Sequence, residues 1–271
     1  MLKRHLILDG LNLFHRAKGG FQKGDHVLAF NFFRGLRPIV ARFLPLDRVV
    51  LVLEGHPIAN HALLEGYKAN RPAADPDFIR QCDEIVALLA HHPITTVRHP
   101  DHEADDVVFD ECVRLAPCDD AIIVSSDSDF TQVQQRLIQH VRVWNWRTEE
   151  FVIQPPYDYV AWKALRGDPT DNVPRVPGVT EATAMDVANG ITPLGEVIND
   201  AVRRDAYERN LKVISLSSLT DEERGNLEVN VGKPDWKHAE ETFKSYLFRS
   251  MLKDTTFAKY KATFDAVGSA R

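Results

Sequence analysis

The chain has 271 residues, of which 44% are apolar and 27% charged, with 33 Lys and Arg against 39 Asp and Glu. This balance is typical of a folded globular protein and excludes disordered and fibrous classes. No apolar run approaches the roughly 20 residues of a membrane helix. Three cysteines without a CxxC pair indicate a reducing compartment, so a cytoplasmic protein without a membrane partner is expected.

Short apolar runs alternate with amphipathic stretches in the first 155 residues. Helices are predicted over Phe78–Ala90 and Asp105–Leu115. Such alternation predicts a wound, mainly parallel sheet, with ligands bound outside the carboxyl ends of its strands. The predicted strands are His5–Leu8, Arg48–Leu53, Thr95–Arg98, Ala121–Ser125 and Val141–Trp146.

Pro155-Pro156 predicts a boundary, because neither residue continues a strand ladder or a helix interior. We therefore expect a catalytic α/β domain over residues 1–155 and a mostly helical domain over 156–271. In the second domain, a Gly- and Pro-rich segment, Gly167–Gly178, leads into a helix that starts near Glu181. Residues 191–271 contain no motif that carries chemistry.

Nine carboxylates follow predicted strands or lie in the Gly/Pro segment. Each alone is typical of a helix cap or a turn, but together they would repel one another unless a cation neutralised them. Carboxylates without His or Cys favour Mg²⁺ or Mn²⁺ over zinc, and two such ions suit phosphodiester hydrolysis. The nine are Asp9, Glu54, Glu103, Asp105, Asp106, Asp127, Asp129, Asp168 and Asp171.

The net charge of −6 argues at first against a nucleic-acid partner. If the nine carboxylates converge on one site, however, Lys and Arg outnumber the acids elsewhere. The charge balance is therefore compatible with a polyanionic partner.

Five segments resemble the 5′ nucleases, the flap endonucleases and 5′-3′ exonucleases of bacteria and bacteriophages, including the nuclease domain of bacterial DNA polymerase I. They occur in the family's order, within about residues 6–185. They are Leu6–Leu13, Gly66–Pro72, Glu103–Asp106, Ser125–Phe130 and Gly167–Pro174.

The resemblance implies a PIN-like α/β core, a helical arch over about residues 55–90, and a helix-three-turn-helix that binds duplex DNA. It implies two Mg²⁺ ions, with Mn²⁺ as a substitute. Asp9, Glu54, Glu103, Asp105 and Asp106 would hold or support one ion, and Asp127, Asp129, Asp168 and Asp171 the other. The expected substrate is DNA with a 5′ flap, a free 5′ end or a branch; RNA–DNA hybrid stays open, and a monomer is expected.

Other site residues follow from the same resemblance. Lys68 and Arg71 would meet the scissile phosphate, with Arg16 as a further phosphate contact. Tyr67 would offer a face for base stacking, and Asn70 would lie beside it on the DNA-binding arch. The backbone N–H groups of Gly178, Val179 and Thr180 would hold a phosphate of the duplex.

The chain departs from the family pattern at four positions. Glu54 replaces the usual Asp, and Arg175 stands where glycine is frequent. Thr180 replaces a second glycine, and Ala182 replaces a lysine that some members use for phosphate. The last three bear on the strength of duplex binding and leave open whether a K⁺ ion binds at this turn, while the nine carboxylates are intact.

Three alternatives stay open. A PIN-type ribonuclease would share the acidic core but has no use for Gly167–Ala184. A DNA-binding or scaffold protein with weak or no nuclease activity would have lost a carboxylate, and none is missing. A zinc site would draw on four irregularly spaced residues, His99, His102, Cys112 and Cys118.

Overall fold

The computed structural model describes residues 2–21, 24–73, 75–116, 118–137 and 139–268. The strands are β1 (Arg4–Asp9), β2 (Arg48–Leu53), β3 (Thr95–Arg98), β4 (Asp120–Val124), β5 (Val141–Asn145), β6 (Glu150–Phe151) and β7 (Glu228–Val231). The first helices are α1 (Gly10–Lys18), α2 (Val27–Phe43), α3 (Ile58–Leu63), α4 (Pro76–Leu89), α5 (Ala104–Leu115) and α6 (Thr131–Arg136). The later ones are α7 (Tyr159–Arg166), α8 (Glu181–Ala188), α9 (Leu194–Val197), α10 (Ala201–Ile214), α11 (Asp221–Gly225), α12 (Trp236–Ser245) and α13 (Asp254–Asp265).

The strands form one sheet in the order β6-β5-β4-β1-β2-β3-β7. The five central strands are parallel, and β6 and β7 pair antiparallel at the two edges. The five predicted strands and the mainly parallel sheet are therefore confirmed. No helix in the described part of the chain is long and apolar enough to cross a membrane.

Both faces of the sheet are covered by helices. Successive residues of each central strand point to opposite sides, and the residues on both sides are buried. On β1, Leu6 and Leu8 belong to a core layer that includes α2, α4 and α13, while Ile7 belongs to a second layer formed with α5. A third apolar cluster lies among α7, α8 and α10. This double coverage explains why the strands appear in the sequence as continuous apolar runs.

The predicted arch segment divides into two parts. Its second half, α4, packs into the core through Phe78, Ile85 and Leu88. Only the first part, with the short α3 and the turns that follow it, lies beside the carboxyl ends of the strands. The apolar face of α4 accounts for this difference, since leaving it over an open site would expose that face to water.

We predicted a domain boundary at residues 155 and 156, but the last part of the chain packs back onto the sheet of the first domain. β7 pairs with β3, and Phe243, Tyr260 and Phe264 of α12 and α13 lie in the same core layer as α2. Residues after α10 therefore complete the sheet layers. The compact part of the C-terminal region is formed by α7, α8 and α10.

Candidate metal and nucleic-acid site

Five of the carboxylates are positioned by the carboxyl ends of three parallel strands and by the start of α5. Asp9 ends β1, Glu54 follows β2, and Asp127 lies three residues after β4. Glu103 is the residue that precedes the first turn of α5, and Asp105 lies in that turn. Because parallel strands end at one edge, these side chains are drawn to the same place.

Asp9 is the most firmly held of these side chains. One carboxylate oxygen accepts the Asn12 N–H at 3.1 Å, and the other accepts the Ser125 hydroxyl at 2.7 Å. Burial, with a smaller contribution from the charge of Asp127, raises the pKa of Asp9 to about 6, although these two hydrogen bonds lower it. Burial and a neighbouring acid therefore both disfavour the ionised form of Asp9.

Glu54 and Asp105 share this property. Burial, followed by the charge of Glu103, raises the pKa of Glu54 to about 7, although the Ala104 N–H donates to its carboxylate at 3.1 Å. Burial and the charges of the neighbouring acids raise the pKa of Asp105 well above its ordinary value. A divalent cation would stabilise the ionised form of all three groups.

The segment after α7 brings Asp168 and Asp171 to this edge. Lys163 of α7 is buried, and its ammonium contacts Asp129 and lies 2.8 Å from Asp168 Oδ2. Burial lowers the pKa of Lys163, but the charge of Asp129 together with the contacts to Tyr159 and Asp168 outweighs it and raises the pKa above the ordinary range. The Tyr159 hydroxyl also donates to Asp129, at 2.8 Å.

Sequence reasoning missed Lys163 and Tyr159. A lysine in a short amphipathic helix is ordinarily a solvated residue, and a tyrosine there ordinarily packs. The signal in the sequence is the position of Lys163 five residues before Asp168, at the end of a helix that leads directly into the acidic segment.

The turns after α3 bring Lys68 and Arg71 onto the carboxylates. Lys68 contacts Glu103, and Arg71 contacts Asp171. The Tyr67 hydroxyl donates to Glu103 at 3.1 Å, but the ring is 3% exposed and packs in the cluster with α7 and α10. The Tyr67 face is therefore not open to a base in this structure, because the apolar ring is more stable in the core.

Three other predicted site residues make different contacts. Asp106 turns away from the carboxylates: it accepts the Ser217 N–H at 3.2 Å and lies 3.8 Å from His102 Nδ1. Arg16 lies over the Trp146 ring, 5.2 Å from its centre. Asn70 donates to the Pro169 carbonyl at 2.9 Å.

Helices α7 and α8 and the turns between them occupy the region predicted as the helix-three-turn-helix, hereafter the helix-turn-helix element. Gly178 has a φ of +73° in the left-handed region that favours glycine, and Val179 is buried. The Thr180 side chain caps α8 by accepting the Thr183 N–H at 3.1 Å. Glu181, in the first turn of α8, pairs with Arg166 at 3.1 Å and accepts the Trp162 indole N–H at 2.9 Å, so its charge beside the helix N-terminus is partly neutralised.

The donor set fits a hard divalent ion in its chemistry, since the convergent ligands are carboxylate oxygens. Among the described residues, no three Asp, Glu, His or Cys side chains already converge on one point tightly enough to hold an ion. Two lysines instead balance part of the negative charge, so side-chain movement is needed for an ion to bind. The same lack of convergent ligands among the described residues argues against the zinc site. In addition, Cys112 is buried while Cys118 is exposed.

Comparison with known proteins finds one matching family and relatives that carry nuclease or DNA polymerase names. Residues 4–160 match the family described as "5′-3′ exonuclease, N-terminal resolvase-like domain". The chain is 24% identical over 210 residues to flap endonuclease Xni of Shewanella halifaxensis, covering 73% of this chain and 82% of that protein. It is 29% identical over 197 residues to DNA polymerase I of Treponema pallidum, covering 66% of this chain but only 20% of the polymerase.

The fold is also similar to a solved structure, that of the bacteriophage T5 D15 flap endonuclease in complex with DNA and metal ions. The TM-score is 0.61 at 15% identity, and the match covers 97% of this chain and 99% of that one. This likeness confirms the predicted PIN-like architecture with its C-terminal helical region. The family match spans more than half of the chain, which therefore belongs to the 5′-3′ exonuclease family with an N-terminal resolvase-like domain.

Proposed function

We propose that this protein is a structure-specific 5′ nuclease that hydrolyses DNA near a free 5′ end or a flap junction. This proposal is supported above all by the gathering of carboxylates from β1, β2, β4, α5 and the segment after α7, with Lys163 of α7 in contact with them and α8 packed on α7. The names of related proteins, flap endonuclease and 5′-3′ exonuclease, support the same reaction.

The proposed cofactor is a pair of Mg²⁺ ions, with Mn²⁺ as a substitute. When bound, they supply a nucleophile at neutral pH and offset the charge of the phosphodiester. Two groups of carboxylates would hold them: Asp9, Glu54, Glu103 and Asp105 in the first, and Asp127, Asp129, Asp168 and Asp171 in the second.

The basic residues beside the carboxylates would orient the DNA. Lys68 and Arg71 lie next to the site carboxylates, where their positive charge would attract the phosphate of the DNA. The first turn of α8 and the Gly178 turn would contact the duplex backbone without reading sequence. Binding would therefore select DNA shape, and a monomer presents both elements.

The test is cleavage of a 5′-labelled flap DNA in Mg²⁺ or EDTA, with a single-stranded RNA of the same sequence in parallel. We expect Mg²⁺-dependent cutting near the flap junction, with the RNA spared. RNA cleavage with an intact flap would instead identify a PIN-type ribonuclease.

A variant pair makes this test specific to the site. Asp127→Ala should bind the flap DNA as the parent does but lose cleavage, whereas Asp83→Ala, on the exposed side of α4, should cleave normally. Undiminished turnover by Asp127→Ala would remove the basis of the two-ion assignment. Binding is measured by fluorescence anisotropy in Ca²⁺.

A further inference from the structure

Residues 64–71, hereafter the latch segment, are fastened to the loop 168–172 by hydrogen bonds from both sides. The Lys68 N–H donates to the Asp171 carbonyl at 3.0 Å. The Asn70 amide donates to the Pro169 carbonyl at 2.9 Å, and the Asn172 amide donates to the Gly66 carbonyl at 2.8 Å. The two segments are about 100 residues apart in the chain, so this contact is tertiary. Leu64 and Tyr67 are buried among α7 and α10, so the part that can open is the turn that follows them, residues 68–71.

Two charge pairs reinforce the contact, and both use carboxylates of the proposed metal site. Lys68 pairs with Glu103, with side chains only 16% and 10% exposed. Arg71 pairs with Asp171 and is 43% exposed. Solvent screens the first pair less than the second, so the Lys68 pair contributes more to closure.

The backbone on both sides of the contact is in an unfavourable conformation. Lys68 has a φ of +54° and Asn172 a φ of +59°, in the left-handed region that residues with a Cβ seldom adopt. Such conformations persist only where neighbouring contacts hold them. Losing the charge pairs would therefore loosen the turn at Lys68, while Leu64 and Tyr67 keep their packing.

We propose that the latch segment is a lid, closed by Lys68 and Arg71 on the carboxylates and released when divalent ions occupy those carboxylates. An ion and an ammonium group compete for the same oxygens of Glu103, and closure and ion binding therefore oppose each other. The lid would open the carboxylates to a phosphodiester only after the ions are bound. This inference rests on the proposed function for the presence of the ions.

The exchange of the Lys68 amide hydrogen reports the latch directly, since that N–H is bonded across the contact. Hydrogen–deuterium exchange of the full chain is measured without DNA, in EDTA and in saturating Mg²⁺, and Mg²⁺ binding is followed by calorimetry. We expect Mg²⁺ to speed exchange in residues 64–71 by roughly five- to tenfold, the scale of losing one partly shielded charge pair. Exchange in β2 should not change, which excludes general unfolding.

Variants separate the charge pairs from the ion. Lys68→Gln should exchange rapidly already in EDTA and respond little to Mg²⁺, and the more exposed Arg71→Gln should show the same trend more weakly. Arg80→Gln, which removes ion pairs within α4 only, is the matched control and should behave as the parent.

The outcomes distinguish the latch from the proposed function. Binding heat with unchanged or slower exchange at Lys68 overturns the latch and leaves the nuclease proposal standing. Absence of binding heat for both Mg²⁺ and Mn²⁺ overturns both. Rapid exchange of the parent in EDTA shows that the charge pairs do not hold the segment and overturns the latch alone.

Discussion

Two adjacent aspartates on α5 have different surroundings because they point to different sides of the helix. Asp105 is buried among the other acids, and their charges and its burial raise its pKa. Asp106, one residue later, points about 100° around the helix and accepts the Ser217 N–H. The sequence motif treats the two alike, but the structure gives only Asp105 to the carboxylate cluster.

We expect Asp105→Asn to reduce Mg²⁺ affinity and to slow flap cleavage by roughly a hundredfold or more, the scale of losing one electrostatic contact at a reacting centre. Asp106→Asn should keep Mg²⁺ affinity, because the amide oxygen of the new side chain can still accept the Ser217 N–H. Calorimetric Mg²⁺ titration and single-turnover cleavage measure both. An equal loss of Mg²⁺ affinity and cleavage rate in Asp106→Asn would show that Asp106 is a metal ligand after all.

At the scale of elements, the central strands could be predicted because burial on both faces leaves an unbroken apolar run. β7 could not, since its four residues are all exposed and it is defined only by pairing with β3. The carboxylates at strand ends were predictable from topology. The direction of Asp106, the burial of Tyr67 and the pairing of Lys163 were not, because each depends on a partner distant in the chain.

The helix-turn-helix element depends on a residue outside it. Asn210 of α10 is fully buried, and its amide donates to the Ala164 carbonyl at 2.9 Å and to the Pro174 carbonyl at 2.7 Å. It therefore joins α7, the following turn and α10. No motif marked this residue.

Asn210→Ala should lower the free energy of unfolding by about 2–4 kcal/mol, because it leaves two buried carbonyls without donors. Asn189→Ala is the control: this exposed amide bonds only within its own helix end, and its loss should cost about 0.5 kcal/mol or less. Urea denaturation followed by circular dichroism gives both values. Equal losses would show that Asn210 does not hold the element together.

At the scale of the whole molecule, the layers meet around His92. Its ring stacks on Phe33 at 5.1 Å and contacts Trp236 and Phe264 of the C-terminal helices. Nδ1–H donates to the Leu88 carbonyl at 2.9 Å, which leaves Nε2 to accept the Tyr260 hydroxyl at 2.8 Å. This arrangement requires a neutral ring.

Burial lowers the pKa of His92 to about 4 from 6.5. Between these values the unfolded chain binds a proton that the folded chain does not, so this group makes stability fall as pH drops from about 6.5 to 4, by about 3 kcal/mol in total. His92→Phe with Tyr260→Phe should remove that part of the pH dependence. Unfolding free energies at pH 7 and pH 5 test it, and His56→Gln, at an exposed site, should leave the slope unchanged.

Because β7 pairs with β3, the sheet is completed only after the later part of the chain has been synthesised. Every carboxylate of the candidate site lies before residue 172, whereas the strand that closes one sheet edge and the helices that cover α2 come from residues after 227. During synthesis the acids and their lysines therefore emerge while β3 still has an open edge and α2 an uncovered apolar side. Such edges and faces invite association between chains, so aggregation is favoured in the interval before residues 228–265 emerge.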